Sequence, residues 1–177
     1  HYDVIRMMLD SGKHVYTEKM MAVTLEQGQE LVALAKEKHL YLGVAPDTIL
    51  GAGIQTARKI MDAGLIGNVT SCYASINRNQ SLNSEKFRFH RNNGVTLQYD
   101  VGIYYIAALL CLLGPVRSVR GFGAPAPLYT PQLLYELPEI PVTPWQIPGN
   151  NLMIGALEFE SGVLGGLHFD GNTIGES

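Results

Sequence analysis

The stretch Gly12-Lys13-His14-Val15-Tyr16-Thr17-Glu18-Lys19-Met20 decides how this chain is read. Gly12 closes a helical pattern, His14 to Thr17 reads as a short strand, and Glu18-Lys19 follow at its carboxyl end. In open α/β sheets, ligands bind outside the carboxyl ends of the strands. Lys19 is therefore placed to carry chemistry. An ordinary loop lysine paired with Glu18 fits the same spacing.

Working outward, residues 3–11 carry Val4, Ile5, Met8 and Leu9 at helical spacing. On the other side, Thr24 and Gln27 form a capping-box pattern for a helix with Leu31, Val32, Leu34 and Ala35 on its apolar side. Tyr41 to Ala45 is a short apolar strand closed by Pro46. Residues 1–46 thus read α-β-α-β, the pattern of a parallel sheet with crossover helices. Beyond them the spacing predicts a helix over 48–63, a strand over 69–77, a polar loop over 78–93, a helix over 97–113 and a strand over 116–122. A proline-rich surface loop is expected over 124–148. Strands at 151–160 and 163–170 follow, joined by a two-residue Ser161-Gly162 turn. The expected class is α/β (α+β): a parallel-sheet part, 1–46, and then an open, mostly antiparallel sheet with helices on one face, 47–177.

Hydrophobic residues make up 46% and charged residues 16% of the 177 positions, which fits a globular chain with few surface charges. The net charge of −3 and the short, mixed runs Arg58-Lys59 and Lys36-Glu37-Lys38 point away from nucleic acid. The longest apolar run, Ile103 to Leu113, suits a core helix and is too short to span a membrane. Cys72 and Cys111 lack metal-like spacing and read as free buried thiols, which fits a reducing cytoplasm. No spacing of His, Asp or Glu argues for a metal, and nucleophile elbows are absent.

Asp100 and Tyr104, four residues apart, are expected on one side of an otherwise apolar helix. A carboxylate near a helix start also suits the helix dipole, and a half-buried tyrosine is an ordinary core residue. Gly94 and Gly102 lie near the pair. A glycine inside a helix costs about 1 kcal/mol relative to alanine, so Gly102 suggests close approach of something to the backbone. A tyrosine of pKa about 10 is a poor base at neutral pH unless a cation lies close, and Lys19 would supply one. The loop Phe87-Arg88-Phe89-His90-Arg91 could hold a phosphate, a carboxylate or a sugar, or be a packed loop with solvent-facing arginines. His14, His39 and His168 are isolated and read as structural.

Three motifs together resemble the Gfo/Idh/MocA oxidoreductases, the glucose-fructose oxidoreductase and inositol dehydrogenase superfamily. Gly12 to Lys19 is similar to that family's AGKHVxxEKP signature, and Ala63 to Val69 to its xGxIGxV turn. Asp100 to Tyr105 with Leu112 to Val116 is similar to its DxGxH…LLGxV helix. The resemblance implies a Rossmann domain followed by an open-sheet domain, and use of NAD or NADP to oxidise or reduce a sugar, polyol or related alcohol. It puts Lys19 between nicotinamide and substrate, Asp100 on the substrate hydroxyl, and Tyr104, in the usual histidine position, as the acid-base residue. Glu18, Lys19 and Arg88 are the residues expected on the cofactor side. A homo-oligomer, dimer or tetramer, is expected through the open sheet.

Two departures stand out. Met20 replaces a proline that often follows a cis bond, and cis costs a non-proline residue about 2.5–4 kcal/mol, which predicts a repositioned backbone at Lys19. The GxGxxG phosphate turn and its ribose-binding acid are missing. The chain therefore reads as a middle piece of a longer enzyme, keeping its substrate side. The alternative is a non-catalytic interaction module built on the open sheet.

Overall fold

The computed structural model describes residues 1–80, 84, 87–92, 95–128 and 146–173. It divides into two compact units, His1–Gln55 and Thr56–Ser177.

The first unit holds α1 (Tyr2–Asp10), β1 (Val15–Thr17), α2 (Leu25–Glu37) and β2 (Leu42–Val44). β1 and β2 pair in parallel, with Val15 opposite Leu42 and Thr17 opposite Val44. The helices pack on each other through Ile5, Leu9, Leu31 and Ala35, all buried, with Val15 and Leu42 against them. Only part of each predicted stripe is covered: Val4 and Val32 stay more than half exposed. Gly12 follows α1 at φ +75°, where glycine avoids a steric penalty, and Lys13 N–H closes on the Met8 carbonyl. At the start of α2 the Thr24 hydroxyl accepts the Gln27 N–H at 3.3 Å, and the Gln27 side chain accepts the Val23 N–H at 3.2 Å. The return bond thus reaches one residue beyond the expected cap. His14 Nδ1 accepts the Tyr41 N–H at 3.0 Å, a structural role.

The predicted helix over 48–63 is split. A 3₁₀ turn, Asp47–Leu50, stops at Gly51, whose extended backbone (ψ 154°) precedes α3 (Ala52–Asp62). The second unit continues with β3 (Ser71–Asn77), a 3₁₀ turn Arg88–Arg91, α4 (Leu97–Asp100), α5 (Gly102–Leu113), β4 (Val116–Pro125), β5 (Asn150–Phe159) and β6 (Leu164–Asp170). The sheet order is β3-β6-β5-β4, with β3 parallel to β6 and the other two pairings antiparallel. The β5–β6 connection is not a two-residue turn: Glu160, Ser161 and Gly162 lie between Phe159 and Val163, whose backbones pair at 2.9 Å. Gly162 takes the left-handed position (φ +85°) that such three-residue hairpins end on. Most of the proline-rich loop, residues 129–145, lies outside the described residues, as does Gly94.

Among the described residues, helices cover one face of this sheet and leave the other exposed. Leu157, Phe159, Leu167 and Phe169 form the buried core, with Val101, Ile106, Leu109 and Leu113 packed onto it. On the opposite face, Tyr73, Phe122, Ile154 and Leu164 are each more than half exposed. Cys72 and Cys111 are free, and half-buried rather than buried. No helix among the described residues is long and apolar enough to cross a membrane.

Candidate active site

Lys19 is half-buried two residues past the end of β1, and the adjacent Glu18 is exposed. The Glu18 carboxylate accepts the Lys19 backbone N–H at 3.2 Å, and the Glu18 carbonyl lies 3.1 Å from His1 Nδ1. The Lys19–Met20 peptide is cis, as is Ala45–Pro46.

Asp100 and Tyr104 lie in the second unit, on either side of a break. Val101, at φ −118°, separates α4 from α5, so Asp100 closes one helix and Tyr104 stands in the first turn of the next. This corrects the expectation of a single helix over 97–113. The break coincides with Gly102, which is buried. A Cβ there would meet Cε2 of Phe169 at 2.8 Å. Gly102 thus makes room for a core ring of β6, and this packing explains the glycine.

Among the described residues of the second unit, six polar side chains are buried. Asn79, Gln80, Ser84, His90, Thr96 and Asn151 come from the segment after β3, the approach to α4 and the start of β5. The carboxyl ends of the parallel strands β3 and β6 meet here: Arg78 and Gln80 N–H donate to the carbonyls of Asp170 and Gly171. Asn151 Nδ2 donates to Asn172 Oδ1 at 2.9 Å, and its Oδ1 accepts the Leu97 N–H at the start of α4. Gln80 Nε2 lies 2.8 Å from His90 Nδ1, and His90 Nε2 lies 3.9 Å from Asp100 Oδ2. Phe89 stacks on the His90 ring at 4.2 Å between centroids. Among the described residues, the buried Thr96 hydroxyl has no hydrogen-bond partner. In open α/β sheets, the carboxyl ends of parallel strands are where ligands bind.

In the cationic loop, Arg88 is exposed, while Arg91 Nε donates to the Ser84 carbonyl at 3.2 Å. The loop's buried member is His90. Gln80 did not stand out in the sequence, and His90 did so only as one member of the Phe87–Arg91 loop. The one available signal was a histidine among phenylalanines ten residues before Asp100. A separate apolar cleft of about 580 Å³ runs along α5, β4 and β5, lined by Ile106, Leu110, Val119 and Met153 among others, and contains none of the predicted site residues. Among the described residues, no group of three or more His, Cys, Asp or Glu side chains could hold a metal.

The two units define the class: a parallel β-α-β piece of a dinucleotide-binding fold, and an open-sheet α/β domain. The chain belongs to the GFO/IDH/MocA oxidoreductase family. Residues 1–45 match the family's NAD-binding Rossmann fold and residues 54–176 its C-terminal domain. An uncharacterized oxidoreductase of Schizosaccharomyces pombe is 32% identical over 119 residues, covering 67% of this chain and 32% of that protein. The scyllo-inositol 2-dehydrogenase (NADP(+)) IolW of Bacillus subtilis is 28% identical over 119 residues, with 67% and 33% covered. Among solved structures, the WlbA dehydrogenase of Bordetella pertussis, in complex with NADH and UDP-GlcNAcA, superposes with a TM-score of 0.77 at 21% identity, over 99% of this chain and 50% of that one. The chain spans about a third of the length of the curated relatives it matches.

Proposed function

We propose that the chain forms part of an NAD(P)-dependent oxidoreductase that moves a hydride between nicotinamide and a sugar, polyol or related alcohol. The observation that carries this reading is the match of both units to one oxidoreductase family, combined with the buried Gln80–His90 pair beside Asp100. Relatives named for inositol dehydrogenation and for a nucleotide-sugar complex support the substrate class. The non-catalytic alternative gains nothing from these relatives, which are named as oxidoreductases and dehydrogenases.

The cofactor, NAD or NADP, fits the first unit on the nicotinamide side. A half-buried lysine just past the carboxyl end of a parallel strand is a suitable partner for a ligand there. Glu18 and Lys19, with Arg88, are the residues we assign to it. When bound, the nicotinamide supplies the two-electron acceptor or donor. Everything else falls to side chains. The Lys19 ammonium stabilises negative charge on the substrate oxygen. Asp100 accepts the substrate hydroxyl and orients it. Tyr104 exchanges the proton with that oxygen, a role worth about 10²–10⁴ in rate for a placed acid-base group. The exposed sheet face supports self-association as a dimer or tetramer, and a cytoplasmic location is part of the same reading.

The test is Tyr104→Phe in the complete enzyme. We expect turnover to fall by at least about 100-fold with dinucleotide affinity retained. Unchanged turnover contradicts the assignment.

A further inference from the structure

We propose that His90 is a positioning residue for Asp100, with its ring locked in one tautomer by Gln80. The inference rests on the reading of Asp100 as the group that orients the substrate hydroxyl.

Three sides of the ring are held. Gln80 and His90 are both nearly fully buried, at 1% and 4% exposure. Gln80 is itself anchored, since its backbone N–H donates to the Gly171 carbonyl at 3.0 Å beyond the end of β6. Its amide nitrogen can only donate, so at 2.8 Å it makes His90 Nδ1 an acceptor. In the neutral ring the proton must then sit on Nε2, because the bond made by one ring nitrogen sets the state of the other. Nε2 is the atom facing Asp100 Oδ2. Phe89 covers one face of the ring, and Phe87 meets it edge-on at 6.2 Å between centroids. The result is a chain from the Gly171 backbone through Gln80 and His90 to a carboxylate whose side chain is 18% exposed.

The last link, 3.9 Å, is longer than a hydrogen bond but within electrostatic reach. Catalytic hydrogen bonds are often long without ligand and tighten when substrate binds. Such an arrangement fixes direction, and misplacement of a catalytic group by about 1 Å can lower turnover about 100-fold.

Two measurements test this. The first is the nitrogen spectrum of the His90 imidazole in the 177-residue chain, by long-range ¹H–¹⁵N NMR at neutral pH. The expected state is Nδ1 bare and Nε2 protonated in the wild type, with a tautomer mixture in Gln80→Leu. A wild-type ring protonated at Nδ1 alone overturns the proposal. The second is kinetic, in the complete enzyme. His90→Leu should lower kcat by about 10- to 100-fold, with KM for the alcohol changing by less than about threefold. His90→Gln, which keeps a donor near the Nε2 position, should recover to within about fivefold of wild type. Equal losses in the two variants, or none in either, overturn the proposal while leaving Asp100 in place. Full turnover in Asp100→Asn instead overturns the reading of Asp100 itself, and the role of His90 with it.

Discussion

Gly102 and Phe169 are packed so closely that a single added methyl would collide: a Cβ on Gly102 would lie 2.8 Å from Cε2 and 2.9 Å from Cδ2 of the buried Phe169 ring. This contact sets the start of α5 against β6, and with it the position of Tyr104 two residues on. Gly102→Ala should therefore destabilise the chain by about 1–3 kcal/mol through overpacking. The usual helical gain of alanine over glycine, about 1 kcal/mol, offsets only part of this. Urea denaturation measures it, and a variant as stable as wild type would show that the ring can move aside at no cost.

The Thr24 cap makes a second stability prediction. Its hydroxyl satisfies the Gln27 N–H, one of the donors left open at the start of α2. Thr24→Ala should lose about 0.5–2 kcal/mol, and Thr24→Ser should recover most of it. A loss common to both variants would point to the threonine methyl instead.

Burial pushes the Cys72 thiol up. A raised pKa means less thiolate at any given pH, and the thiolate is the reactive form. Alkylation of Cys72 should be slower than that of a free peptide thiol at neutral pH, and its pH–rate curve should be displaced upward. Alkylation as fast as the peptide at neutral pH would contradict this environment.

The open sheet face makes a prediction about assembly. Phe122 and Ile154 are cross-strand partners, 88% and 52% exposed. Nearby, Tyr73 lies over Gly166, where a Cβ would meet its ring at 2.7 Å. Contiguous exposed apolar surface is what protein–protein contacts use. Phe122→Glu should shift the complete enzyme toward monomer in sedimentation or light scattering. An assembly unchanged by both Phe122→Glu and Ile154→Lys would exclude this face.

Much of the architecture was legible because it is local. Apolar spacing in α1 and α2, the Thr24–Gln27 cap and Gly12 each report their own turn of chain. The sequence misled where a boundary depends on one residue's backbone: Gly51 splits a predicted helix, Val101 splits another, and Gly162 makes a three-residue hairpin of an expected two-residue turn. Gly102 was correctly singled out as a close approach, but its neighbour is Phe169, 67 residues further along the chain and invisible to periodicity. Gln80 was overlooked for the same reason, and His90 was noticed only as part of the 87–91 loop. Their meaning comes from burial and from contact with Asp100, and neither follows from spacing.

The missing GxGxxG turn predicts weak dinucleotide binding by these 177 residues alone. Fluorescence titration with NADH should give no micromolar dissociation constant, and finding one would show that the phosphates are held by residues in this chain.

The central claim is that Lys19 serves hydride transfer. Lys19→Met in the complete enzyme, assayed by formation of NADH or NADPH from its alcohol substrate, tests it most directly. The account predicts that kcat/KM falls by about 100- to 1000-fold, as for loss of a group that stabilises developing charge, with the fold intact. Turnover within about threefold of wild type would contradict it and return Lys19 to an ordinary loop lysine beside Glu18.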